Sequence, residues 1–219
     1  MTDFQRARRP EQVRQRREAI LDTAGEMLAE RPLAEISLRE LSDRVGLAKS
    51  NVLRYFDSRE AVFLELLDRR WTAWLDELEP VLTKQVPSDP EAVATAVALS
   101  LSGHAQLCEL ISSMAGVLER NITVEYARVF KGNSSRNADR LAAMVRGHFP
   151  GIGEHGAGHF AGSVFVIVAG LWPYARPTEA VAQVMAEMGS PTSPELFVIG
   201  LREGLCNQLV GLIARSGGR

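Results

Sequence analysis

The sequence predicts an all-α fold. Apolar residues recur three and four positions apart along nearly the whole chain, and alternating strand patterns are almost absent. Helix-starting and helix-stopping residues also fall between the periodic segments. The first helix is expected over about 11–30, with Val13, Ile20, Ala24, Met27 and Leu28 on one face and Pro32 closing it. Ser37 opens the next: Glu40 three positions on completes a capping box, and Ile36 with Leu41 makes a hydrophobic staple. Leu38, Leu41 and Val45 mark its inner face, and Gly46 suits the left-handed position that ends it. A second short helix is expected over about 48–55, with Val52 and Phe56 turned inward. Asp57 or Ser58 then caps a long helix, whose Leu67, Trp71, Trp74, Leu78 and Leu82 stay on one stripe. After the turn residues of 86–90, further helices are expected near 90–102, 104–120, 123–148, 157–172 and 194–214.

Length and charge bound the function. The chain has 219 residues, 46% hydrophobic and 24% charged, enough for one large domain or two small ones. Its net charge of −2 excludes a uniformly basic protein. Two cysteines, Cys108 and Cys206, make no disulfide framework and point to a reducing compartment. Arg6, Arg8 and Arg9 precede no apolar stretch, so no signal peptide is expected. The longest apolar run, Val164–Trp172, falls short of the ~20 residues that span a bilayer. A cytoplasmic protein is expected. The charge is unevenly placed: +4 up to Arg17, +2 over 37–59 and −3 over 71–219. Residues 1–13 read as a basic flexible arm able to follow phosphates or enter a minor groove. A disordered, merely solubilising tail explains them equally well.

Two short helices joined through Gly46, behind one helix and ahead of a long one, describe a helix-turn-helix. In such a unit the second helix enters the major groove of DNA. Here it offers Lys49, Ser50, Asn51 and Arg54, donors and acceptors suited to base edges and phosphates. For an isolated helix pair a merely solvated polar face is the commoner explanation.

The segments Ser37-Leu-Arg-Glu-Leu-Ser-Asp-Arg-Val-Gly46, Lys49-Ser-Asn-Val-Leu-Arg-Tyr-Phe56 and Ser58-Arg-Glu60 resemble the DNA-binding domain of TetR/AcrR-type transcriptional regulators. The match covers about residues 14–70. The resemblance implies a dimeric all-α repressor that a small molecule releases from a palindromic DNA operator. It places Ser37 and Tyr55 on phosphates, Lys49, Ser50, Asn51 and Arg54 at the groove, and Arg59 at the start of the connecting helix. Leu53 stands where the family often has a phosphate-contacting tyrosine, and Ala48 where a capping serine is usual. The expected layout is thus an arm (1–13), a three-helix helix-turn-helix DNA-binding domain (14–70) and a larger helical ligand-binding and dimerisation domain (71–219).

Other patterns argue against catalysis. Gly151-Ile-Gly153-Glu-His-Gly156 matches a dinucleotide fingerprint by letter, but no strand precedes it, so a loop is expected. His148, His155 and His159 lack a carboxylate or cysteine to complete a metal site, and the glycines around them disfavour a regular helix. No catalytic triad or paired carboxylates stand out. No enzyme, cofactor or metal is expected.

The C-terminal part suggests assembly and sensing. Phe160, Val164 and Val168 on one helix, and Leu201, Leu205, Leu209 and Leu212 on the last, suit either the core of one chain or a four-helix dimer interface, and the family resemblance implies the dimer. Gly200 and Gly204 allow close approach beside them. Trp71, Trp74, His104, Met114, Leu118, Tyr126, Phe130 and Trp172 are expected to line a mainly apolar effector pocket, although each is also an ordinary core residue. Glu119, Arg120 and Asn121 form a polar trio that either caps a helix or reaches the ligand. Two alternatives stay open: a helix-turn-helix regulator without a small-molecule effector, and an all-α interaction protein that has lost DNA binding.

Overall fold

The computed structural model describes residues 3–86 and 88–217, with side chains of the first helix described from Pro10 onward. The helices are α1 (Asp3–Glu30), α2 (Leu38–Val45), α3 (Lys49–Val52), α4 (Arg59–Thr83) and α5 (Pro90–Ser102), then α6 (Ala105–Met114), α7 (Val124–His148), α8 (Gly153–Leu171), α9 (Glu179–Glu187) and α10 (Ser193–Ser216). Short 3-10 turns lie at Leu33–Glu35, Leu118–Arg120, Pro150–Ile152 and Trp172–Ala175. No strand occurs among the described residues.

The chain divides into two compact units: 1–69 with 113–131, and 70–112 with 132–219. The boundary therefore falls inside α4, while the α6–α7 connection belongs with the N-terminal unit. The core of that first unit is built by Ile20, Leu21, Ala24 and Met27 of α1, Leu41 of α2, and Val52, Phe56 and Phe63 around α3 and α4, all buried. The box at α2 forms as its spacing predicts: the Glu40 amide donates to Ser37 Oγ at 3.2 Å and the Ser37 amide to Glu40 Oε2 at 2.9 Å. Gly46 adopts φ 74° and turns the chain into α3.

In the second unit, α10 packs against α5 and α8. A Cβ on Gly200 would lie 3.3 Å from Leu171, and one on Gly204 3.3 Å from Ile167, so both glycines permit close approach of the two helices. Trp74 is buried, with its indole N–H donating to Ser100 Oγ at 3.0 Å. Residues 150–175 and 193–216 are long and apolar enough, by length and composition alone, to cross a bilayer. Their buried faces here belong to the protein core.

Four expectations need correction. First, α1 begins at Asp3 rather than near 11, so the backbone of the expected arm is helical from that point; the side chains of Arg6, Arg8 and Arg9 lie outside the described residues. Second, the glycine-rich segment is a 3-10 turn running into α8, which carries His155 and His159 in regular helix. Gly153, at φ 65°, makes that start possible. Third, α9 was not expected from the sequence, because none of its residues is buried and its pattern marks no core face. Fourth, α3 stops at Val52, short of the expected end near 55.

No atom lies within 4 Å of a Cβ built on Gly46, so replacing it costs only the left-handed conformation. Gly46→Ala is expected to destabilise by about 1 kcal/mol and Gly46→Asn by less, as measured by urea unfolding of the full chain.

Candidate nucleic-acid interface

Lys49, Ser50, Asn51 and Arg54 are all exposed along α3 and the turn that follows. None of the four makes a side-chain hydrogen bond or ion pair among the described residues. A four-residue helix has little stability of its own, since nucleation costs more than so few bonds return. Ala48 gives it no side-chain cap.

Neighbouring residues hold the turn instead. The Arg17 guanidinium, on α1, donates to the Tyr55 carbonyl and to the Glu65 carboxylate, and lies 4.2 Å over the Phe56 ring. Beyond Val52 the chain tightens, the Arg54 amide bonding three positions back to Asn51 O at 3.2 Å. The Tyr55 amide closes a tight turn onto Val52 O at 2.9 Å. Ser58 Oγ accepts from the Ala61 amide at 3.1 Å and so caps α4, while Asp57 is engaged elsewhere. These brackets are not evident in the sequence, because Arg17 reads there as one more charge in a basic N-terminus.

Two residues expected to touch DNA are turned to other work. Arg59 donates from Nε to the Ile36 carbonyl and from Nη2 to the Leu33 carbonyl, and pairs with Glu60; its side chain is only 15% exposed. It fastens the 3-10 turn that precedes α2. The Ser37 hydroxyl donates to Glu40 Oε2 at 2.7 Å and its amide to the same oxygen, so both of its donors are spent inside the capping box. Tyr55 is half-buried.

The α6–α7 connection is fastened to the same unit. Asn121 Nδ2 donates to Glu60 Oε2 at 3.0 Å, Thr123 Oγ1 to Asp57 Oδ2 at 2.9 Å, and the Tyr126 hydroxyl to the Ala61 carbonyl at 2.7 Å. Burial, more than the nearby Glu65 charge, pushes the Tyr126 hydroxyl well above its ordinary range, so it stays a neutral donor. Glu119 pairs with Lys131 at 2.6 Å. Glu119 and Asn121 are thus both engaged by side chains of this unit.

The family model for bacterial regulatory proteins of the tetR family matches residues 20–66, and the model for the tetracyclin repressor-like C-terminal domain matches 68–216. The chain belongs to the TetR family. The stretch matched by the first model contains the helix-turn-helix described above, and that model describes bacterial regulatory proteins. The regulator EthR of Mycobacterium tuberculosis is 49% identical over 51 residues, 23% of this chain and 24% of EthR, so the similarity spans about a quarter of that relative. A TetR regulator from Haloarcula marismortui matches over 90% of this chain and 97% of its own, with a TM-score of 0.54 and 18% identity. FadR of Bacillus subtilis, solved in complex with stearoyl-CoA, matches over 86% and 97% with a TM-score of 0.51 and 15% identity. These two likenesses speak for the fold.

The structure turns the expected dimer residues of this TetR-family chain inward. Phe160, Val164 and Val168 of α8 and Leu201, Leu205, Leu209 and Leu212 of α10 are buried within their own chain, where the two helices pack together and α10 meets α5. The apolar residues left exposed on these helices are Val166, Leu196, Ile199, Val210 and Ile213.

The eight expected pocket residues divide between the units. Met114, Leu118, Tyr126 and Phe130 belong to the first, whereas Trp71, Trp74, His104 and Trp172 belong to the second. His104 lines an open groove of about 620 Å³ with Val81, Ala96, Leu99 and Ser100, and sits 3.3 Å from Glu77. Trp172 donates to Glu109 at 2.9 Å and meets Phe197 edge-on at 5.2 Å. Trp71 packs on Phe165 with ring centroids 3.9 Å apart, and its buried indole N–H has no hydrogen-bond partner among the described residues.

Hydrogen bonds hold three carboxyls of the first unit below the ordinary glutamate value of 4.5: Glu18 through Arg69, Glu30 through Arg44, and Glu40 through the Ser37 amide and hydroxyl. A depressed folded-state value means that their stabilisation is complete above the unfolded value and is lost as pH falls through the folded one. Unfolding midpoints are expected to stay flat from neutral pH down to about 5.5 and to fall in more acid solution. A Glu18→Gln, Glu40→Gln variant is expected to start lower at neutral pH and to lose less on acidification.

Proposed function

We propose that this TetR-family chain is a dimeric repressor that grips a palindromic operator through α3, and that a small, mainly apolar ligand releases it. The observation that carries the DNA-binding part is the row of four exposed polar side chains on a braced turn, two of them unpaired cations. In this reading Lys49 and Arg54 reach base edges or phosphates, Ser50 and Asn51 read bases, and Tyr55 meets the backbone. Ser37 and Arg59 act by positioning. The protein then works in the compartment that holds the DNA.

A single α3 reads too few bases, whereas a dimer sets two of them in grooves roughly 34 Å apart or a multiple of that spacing. The second copy is proposed to seat on the outer faces of α8 and α10. Gly158, Gly162 and Gly170 on α8 would meet nothing within 4 Å if given a Cβ, so packing within the chain does not call for them. Each costs helix stability, and together they flank Val166, which is 73% exposed. Such a strip lets a partner helix approach closely.

The ligand is proposed to reach the core of the second unit near Trp71. An indole N–H buried without a partner costs about 1–3 kcal/mol, which an effector's carbonyl or other acceptor would recover. The aromatic surroundings suit an apolar body. The complex of FadR with stearoyl-CoA is in keeping with such a ligand. Release requires that the ligand favour the conformation that does not fit the operator. A ligand wedged at Trp71 would act directly on α4, which runs from the helix-turn-helix into the second unit.

The test is selection of bound sequences from a random duplex pool, followed by gel shift. The selected site is expected to be palindromic, and a Lys49→Ala, Arg54→Ala variant is expected to bind it more weakly by roughly 2–5 kcal/mol. Binding as tight as that of the unaltered protein would overturn the reading.

A further inference from the structure

The α6–α7 connection lies outside the helix-turn-helix in sequence, yet the first unit contains it. Three hydrogen bonds fasten it there, from Asn121, Thr123 and Tyr126. Arg120 sits in the middle of this fastened segment. It is exposed, and unlike the side chains of Glu119 and Asn121 beside it, its guanidinium makes no hydrogen bond or ion pair among the described residues. Its side chain borders an open groove of about 570 Å³, whose other walls include Lys49 and Leu53 of the recognition turn and Asp57 to Glu60 at the start of α4.

The charge in this groove is unbalanced in a particular way. Both carboxylates on its walls are engaged: Asp57 accepts from Thr123, and Glu60 accepts from Asn121 and pairs with Arg59. Arg59 is spent on carbonyls. Lys49 and Arg120 remain, two cations on the groove walls with no side-chain partner among the described residues. Leu53 has no donor to offer, although it is 41% exposed on the same groove. A guanidinium presents a planar fork that fits the two free oxygens of a phosphodiester. Lys49 also opens the helix that enters the DNA groove, so an anion beside it is a phosphate of the bound duplex.

We infer that Arg120 is a DNA-backbone contact supplied from outside the helix-turn-helix, clamping a phosphate in the groove it shares with Lys49. The inference rests on the DNA-binding reading above. A phosphate contact carries no sequence information, so it strengthens binding to every duplex alike and steepens the salt dependence.

The test measures affinity for a mixed-sequence duplex across a series of salt concentrations. The unaltered protein, Arg120→Ala, Arg120→Lys and Lys84→Ala are compared; Lys84 is exposed and is not a residue of the groove. Arg120→Ala is expected to lower the slope of log affinity against log salt by about 0.9 for each chain bound. Arg120→Lys is expected to keep most of the slope, and Lys84→Ala all of it. An unchanged slope in Arg120→Ala overturns the inference, whether the groove is then empty or holds a free inorganic anion. So does an equal loss in Lys84→Ala, which would assign the effect to net charge. If the unaltered protein binds no duplex, the DNA-binding reading fails together with the inference; if it binds and only the Arg120 arms fail, that reading stands. Thermal unfolding of Arg120→Ala is expected to match the parent, because the side chain has no partner to lose.

Discussion

The recognition turn depends on a single guanidinium. A helix as short as α3, without a side-chain cap, cannot hold its own geometry in water. Arg17 supplies the missing constraint from α1, holding the Tyr55 carbonyl on one side and Glu65 of α4 on another, with the Phe56 ring beneath it. Three elements are thereby tied at one point. The polar residues that follow Lys49 can then face solvent at fixed positions without contributing to the packing that fixes them. Separating the groups that hold a surface from the groups that use it is what lets a surface be wholly polar and still be ordered.

Arg59 repeats the arrangement elsewhere in the first unit, the head that carries the helix-turn-helix. By reaching the Leu33 and Ile36 carbonyls it joins α4 to the turn that presents α2, and Gly46 with the Ser37–Glu40 box sets the direction of α2 itself. The α6–α7 connection adds a third support, through Asn121 and Thr123. The head is therefore made of residues from two distant parts of the chain. A change in the α6–α7 connection has a route to the start of α4 that does not pass along α4, through Glu60 and Asp57.

What the sequence revealed follows the range of the interaction. The capping box, the left-handed Gly46 and the cap at Ser58 are each made by residues three or fewer positions apart, and their spacing is visible by inspection. Arg17 and Tyr55 are 38 positions apart and Arg59 and Leu33 are 26, so nothing local marks those pairs. For the same reason Arg59 read as a DNA contact, although its donors are committed within the first unit; Ser37 read as one because the resemblance placed it on a phosphate, although its box with Glu40 was visible in the spacing. The stripes on α8 and α10 were legible as apolar; which side meets the chain's own core was not, since leucine is equally suited to either. The helix α9 left no trace in the pattern because it buries nothing. The tryptophans of the second unit were recognisable as buried aromatics, but the distinction between Trp74, satisfied by Ser100, and Trp71, whose indole N–H has no hydrogen-bond partner among the described residues, exists only in three dimensions.

Hydrogen exchange of the backbone amides in Arg17→Met tests the dependence of the recognition turn on Arg17 most directly. Methionine keeps an apolar stem against Phe56 and removes the donors. The amides of Leu53, Tyr55 and Phe56, which bond to Lys49 and Val52 carbonyls, are expected to exchange faster, while Leu41 in α2 stays as protected as before. Unchanged protection at residues 53–56 would contradict the account and would mean that the turn holds itself.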